Sequence, residues 1–311
     1  MKPSFNLRNL AIVALLMITG CSVNAIRPFP DTAESKVVQS DILVNVSQQE
    51  IYAEIDRSNT TAAMGGGLLF ALIDSAIDAS RADDAEEYIQ PVKESLFNYS
   101  FDKKIKDVLD ENLANILWLH SQPAVILNDA SSKTTNEKYS QSKSDIVMVT
   151  NLDYHLSPNL SQLIVSGSVS AYPKTSELIE LRNNYFKKVP KIKKDRLAVD
   201  NFDTTLYYNK FYITYRIKSD GAEEAIGFAY KWSKNEGQVI KQALDQSIEC
   251  MAKMIAYDIN SKEVDKNNSK KKKSLRINID LIPGVTITKS TRTGVYQATI
   301  NHHDRNESAS N

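Results

Sequence analysis

The sequence predicts an α+β fold: an antiparallel or mixed sheet packed by two N-terminal helices and one long C-terminal helix, with a small β appendage. Three observations carry this. Apolar residues alternate with period two in five separate runs, as half-buried strands require. Helical stripes fall in long blocks, two before the central strands and one after them. Helices and strands are therefore segregated along the chain, which argues against a doubly wound parallel sheet. The chain has 311 residues, 42% of them hydrophobic, enough for a core of ordinary size.

The elements follow in order. Residues 21–40 hold Pro28 and Pro30 and show no sustained periodicity. They read as a flexible tether; as a coil, about 19 residues span roughly 25 Å. Asp41 to Asp56 alternates Ile42, Val44, Val46, then Ile51, Ala53 and Ile55, with Ser47 to Glu50 as a turn. Asn59, Thr60 and Thr61 offer N-caps to a helix that Pro91 kinks or ends. A second helix runs from Phe101 to Leu117, with Ile105, Val108, Leu109, Leu113 and Ile116 inward. Residues 123–128 read as a short strand and 130–144 as a loop or short surface helix.

Asp145 to Tyr154 and Ser161 to Tyr172 form a hairpin about Ser157-Pro158-Asn159. Residues 174–203 contain a basic, unpatterned stretch at 187–196. Thr204 to Ile217 is the most aromatic strand; Tyr207, Phe211 and Tyr215 share one face, and Tyr208 and Tyr212 the other. One face belongs to the core, and the second is a candidate partner surface. Ala222 to Ile259 carries the stripe Ile240, Leu244, Ile248, Met251 and Ile255, and Gly237 divides this helix in two. The main domain thus spans 41–260. A basic hinge (261–274), a small β module (275–300) and a polar tail (301–311) follow.

The chemistry-bearing residues make no catalytic or metal-binding pattern. His120, His155, His302 and His303 lack ligand spacings with Cys or carboxylates, so no metal and no cofactor is expected. Gly65-Gly66-Gly67 matches neither phosphate-binding fingerprint, and no Lys-Ser/Thr pair follows. Close helix packing is its expected role. Membrane contact by residues 62–77 is the alternative, against which Asp74 and the shortness of the run weigh. Asp78 and Arg81, an i,i+3 pair, solvate a helix face. Cys250 has Ala243, Ser247 and Met254 as helical neighbours and reads as a buried, inert thiol. Lys270 to Lys273 reads as a solvated hinge, with contact to anionic headgroups as the alternative.

The N-terminus carries the most specific signal. Lys2 and Arg8 precede a nine-residue apolar run, Leu10 to Ile18, too short for a spanning helix of about 20 residues. Ile18-Thr19-Gly20-Cys21 then follows. This layout is that of an export signal, and the tetrapeptide resembles the lipobox of bacterial lipoproteins. The resemblance implies recognition of Ile18, Thr19 and Gly20 by signal peptidase II, cleavage before Cys21, and lipid attachment to the Cys21 thiol. Ser22 stands where an Asp would signal inner-membrane retention, so the resemblance implies the periplasmic face of the outer membrane. Removing residues 1–20 takes away Lys2 and Arg8 and no acid, leaving 36 basic and 38 acidic side chains. Such a balance gives no general attraction to nucleic acid.

The stretches at 64–101, 144–173 and 206–215 resemble a group of Gram-negative bacterial lipoproteins to which no activity is attached, so the resemblance transfers none. The layout is also similar to the TolB amino-terminal domain, the curli secretion channel protein and lipoprotein activators of peptidoglycan synthases, at the level of fold. The expected function is a non-enzymatic, lipid-anchored component that binds a protein partner at the envelope. An oligomeric channel subunit and a peptidoglycan-synthase activator are the alternatives.

Overall fold

The computed structural model describes residues 26–46, 48–55, 68–127, 129, 131–187, 199, 201–219, 221, 224–261, 276–290 and 293–302. Its strands are β1 (Ser40–Val46), β2 (Tyr52–Ala53), β3 (Val125–Leu127), β4 (Ile146–Leu156), β5 (Gln162–Pro173), β6 (Tyr207–Arg216), β7 (Arg276–Ile279), β8 (Thr286–Ser290) and β9 (Tyr296–Asn301). Its helices are α1 (Leu68–Ser95), α2 (Phe101–Ala114), α3 (Ser132–Gln141), α4 (Ser176–Phe186) and α5 (Ala225–Asn260). Among the described residues the strands make one mixed sheet, ordered β3-β1-β4-β5-β6-β9-β8-β7, with β2 also pairing β4. β3, β1 and β4 run parallel, β4, β5 and β6 antiparallel, and β9 lies parallel to β6. The fold is α+β, as expected.

Period two sorts each strand between two faces. On one face Ile42, Val44, Met148, Leu152, Val165, Val169, Phe211, Ile213 and Ala298 are buried, under α1, α2 and α5. The α2 stripe of Phe101, Ile105, Leu109 and Leu113 is buried, and Ser100 caps the helix by accepting from the Lys103 amide. Gly167 sits opposite Leu152 and Phe211 in register. A Cβ there would lie 3.0 Å from Leu152 Cδ2 and 3.1 Å from Met251 Sδ, so glycine lets α5 approach the sheet closely. α5 breaks at Lys234–Gly237, where Asn235, Glu236 and Gly237 have φ of 54°, 56° and 71°. The Ser95 side chain occupies the space a Cβ of Gly237 would need, so the break also lets α1 and α5 cross closely.

Among the described residues, the opposite face is covered only in part. Tyr139 of α3 and Val199 pack on Leu43, Leu127, Val147, Val149 and Tyr172. Beyond them the register lines up Asp153, Ser166, Tyr212, Gln297, Thr288 and Asn278, one polar residue from each of six strands.

Several expectations change. The residues expected as a free tether are docked from Ile26 onward. Arg27 exchanges backbone hydrogen bonds with Tyr208 at 2.8 and 2.9 Å, Phe29 stacks on Tyr207, and Ala33 and Val37 are buried. Residues 48–50 do not turn the chain into a hairpin, because β1 and β2 both pair β4 in the parallel sense; the chain bulges and resumes its direction. α1 continues past Pro91 to Ser95. α4 stands in residues 174–186, for which the sequence predicts no element; it is started by Thr175, whose side chain accepts from the Leu178 amide. The alternating C-terminal residues extend the main sheet through β6 and β9. The basic stretch beyond Lys187, nearly all of the 261–274 hinge, and the tail beyond His302 lie outside the described residues.

Candidate interaction site

The sheet has two distinct ends. At the starts of β1, β4 and β6, the N-terminal segment is fastened by Arg27. Its guanidinium lies 4.5 Å from the Phe186 ring centroid and 4.1 Å from that of Phe202. It donates to the Thr205 carbonyl at 2.9 Å and pairs with Asp203 at 3.3 Å. Burial lowers its pKa and Asp203 opposes the shift, so the caged group is a cation neutralised by its neighbour. Ile26 fits against Gly294 on the β8–β9 turn. The chain therefore enters the domain beside β6 and β9, a few residues after Cys21.

At the other end, Trp232 in the first half of α5 donates to the Leu160 carbonyl at 2.6 Å, pinning the helix over the β4–β5 turn. Ile226 and Tyr230, one helical turn apart, remain 60% and 65% exposed. Beside them a shallow groove of about 280 Å³ is lined by Ile55, Ala85, Tyr88, Pro158, Leu160 and Ala225. Glu54, Arg81 and Asp84 line it as well. An exposed apolar and aromatic surface beside a groove of mixed apolar and charged lining has the anatomy of a protein-binding site. The larger groove between α2 and α5, about 480 Å³, is charged. There Lys104 pairs with Asp245 and Lys253 with Glu249, so it reads as a solvated helix seam.

Two polar clusters, around Asp258 and around Asp153, are internally satisfied. Asp258, with a side chain 6% exposed, accepts from Tyr207 Oη at 2.7 Å and Asn209 Nδ2 at 2.6 Å on one oxygen. The other oxygen accepts from Tyr296 Oη at 2.8 Å and Lys289 Nζ at 2.9 Å. A carboxylate offers about four acceptor sites, so the cluster has no capacity left for a ligand. Burial, then the carboxylate, raises the Tyr207 and Tyr296 pKa values. His155 meets Asp153 at 2.8 Å and stacks on Tyr52, whose hydroxyl donates to the same carboxylate at 3.1 Å. Burial, then Asp153, pushes the Tyr52 phenol up to about 12. The histidine thus serves to hold β2 against β4.

Among the described residues, no His, Cys, Asp and Glu side chains gather into a group of three that could hold a metal. No described helix is long and apolar enough to cross a membrane. Cys250 is buried. Ile18, Thr19, Gly20 and Cys21 lie outside the described residues, as do Gly65 to Gly67 and Lys270 to Lys273, and nothing is described of the Asp74 and Asp78 side chains. Sequence reasoning missed Ile226, Tyr230 and the groove beside them. Their signal was present: two large apolar residues four apart, off the line that leads to Phe228 and Trp232. No protein-family model matches the chain, and no curated protein matches it significantly.

Proposed function

We propose that the chain is a non-enzymatic, lipid-anchored protein on the periplasmic face of the outer membrane, where it serves as a protein-binding component of an envelope assembly. One observation carries this reading. The point where a Cys21-linked chain enters the domain and the exposed Ile226–Tyr230 surface lie at opposite ends of the same sheet. An anchor at one end points the other into the periplasm. Exposed tyrosines such as Tyr230 are among the residue types that dominate protein interfaces.

The test combines two readouts in Gram-negative cells. Labelled palmitate enters the wild-type chain, and the label and outer-membrane fractionation are lost in Cys21→Ala. A photo-crosslinking residue at position 226 or 230 gives one discrete adduct, and the same residue at Val38, near the anchor end, gives none. Unlabelled wild-type protein would remove the anchor. Indistinguishable adducts at 226, 230 and 38 would remove the distal interface.

A further inference from the structure

We infer that the partly covered sheet face is a second binding site, and that its ligand is the cell-wall polymer, a glycan whose peptide stems bear carboxylates. The choice of source rests on the envelope reading above; the chemistry rests on the face itself. Along β6 the residues Tyr208, Lys210, Tyr212, Thr214 and Arg216 share this face, alternating with the buried Tyr207, Asn209, Phe211, Ile213 and Tyr215. Lys210 and Arg216 are six residues apart, about 20 Å at ~3.3 Å per residue. Neither side chain makes an ion pair or hydrogen bond among the described residues. The carboxylate on the Tyr212 rung, Asp153, is already engaged by Tyr52 and His155. Asp153 keeps its charge but stands two strands away, so along β6 itself the charge is positive.

Between the two cations lies a carpet of hydroxyls and amides. Ser168 lies beside Lys210, Ser166 and Gln297 flank Tyr212, Thr299 neighbours Thr214, and Asn301 adjoins Arg216. These groups donate and accept at once, which suits a polyol. Tyr212 is 37% exposed and offers a ring with a polar tip. A protein partner fits this face less well. The centre of a protein interface is enriched in apolar groups, and here the half-buried Ile164 is the aliphatic side chain nearest the stripe. The stripe runs along β6 for about 20 Å between its two cations, at ~3.3 Å per residue, which suits a polymer laid along the strand. Carboxylates on that polymer pair with Lys210 and Arg216, most strongly at low salt.

The full-length chain in detergent is mixed with purified wall sacculi and pelleted. The wild type is retained. Retention falls at least tenfold in the Lys210→Ala/Arg216→Ala variant and in Tyr212→Ala. Amidating the wall carboxylates, or substituting neutral chitin, lowers it comparably. Circular dichroism checks that the variants remain folded. Absence of retention, retention unchanged in the variants, or equal retention on chitin would each overturn the inference. None of these outcomes depends on palmitate labelling or on crosslinks at 226 and 230, so the two readings fail separately.

Discussion

Cys250 lies at the centre of α5, fully buried among the residues that a helical reading places around it: Ala243, Ser247 and Met254 are buried as well. Burial, reinforced by Glu249 and opposed by Lys253, pushes its thiol from 9.0 up to about 12. Tyr154 moves the same way, from 10.0 to about 12, through burial and then Asp102 and Asp153. Both groups are neutral in the folded protein, while the unfolded chain ionises them from their ordinary values upward. Stability from this source is complete below about pH 9 and is lost as pH rises toward 12. The thiol should therefore ignore maleimide at pH 7.5 until denaturant unfolds the chain. Urea midpoints at pH 8 and pH 10.5 should fall less in Cys250→Ala than in the wild type. A native thiol that reacts within minutes would contradict the burial on which both expectations depend.

Asp258 joins elements far apart in sequence: the last turn of α5, Tyr207 and Asn209 of β6, Lys289 of β8 and Tyr296 of β9. Asp258→Ala strands three buried donors and an ammonium, which should cost about 3 kcal/mol in chemical denaturation. Amide exchange should accelerate first in β8 and β9, whose tie to the helix is cut, and Asp258→Asn should lose less because it keeps the shape and one acceptor. Uniform acceleration across the sheet would show that the cluster is not a local clamp. Part of this was legible: Asp258 follows Ile255 by three positions and so continues the inward stripe. The two faces of β6, the α2 stripe, the β4–β5 hairpin and the break at Gly237 were likewise legible, because period and turn chemistry are local. So, in retrospect, was the docking of the N-terminal segment, where Phe29, Ala33 and Val37 recur at helical spacing. In α4, the apolar Leu178, Ile179 and Leu181 crowd together behind the Thr175 cap and mark no helical stripe. The parallel pairing of β6 with β9 joins residues some 85 positions apart, and no local pattern encodes such a partner choice. The polar rung on the open face depends on that pairing.

At the scale of the molecule, docking of residues 26–37 changes what an anchor at Cys21 implies. A coil to residue 40 would let the domain wander; five residues from Cys21 to Ile26 reach at most about 18 Å at ~3.6 Å each. The end of the sheet that holds Arg27 and the β8–β9 turn must then stay near the bilayer. The end that holds Tyr230 stands farther out by about the length of β6, roughly 30 Å at ~3.3 Å per residue. This orientation is measurable because the buried Cys250 does not compete for label. A dye placed at Val38→Cys, which is 77% exposed at the anchor end, should transfer energy strongly to acceptors on lipid headgroups when the lipidated protein sits in vesicles. The same dye at Tyr230→Cys should transfer several-fold less. Lengthening the chain between Ala25 and Ile26 by a flexible 20-residue insert adds roughly 25 Å of reach and should bring the two efficiencies together. Equal transfer without the insert would mean that the domain lies on its side, bringing the open sheet face or the α1–α5 layer to the membrane. The reach of the proposed distal patch and access to the proposed glycan face both depend on that orientation, so this measurement constrains both proposals.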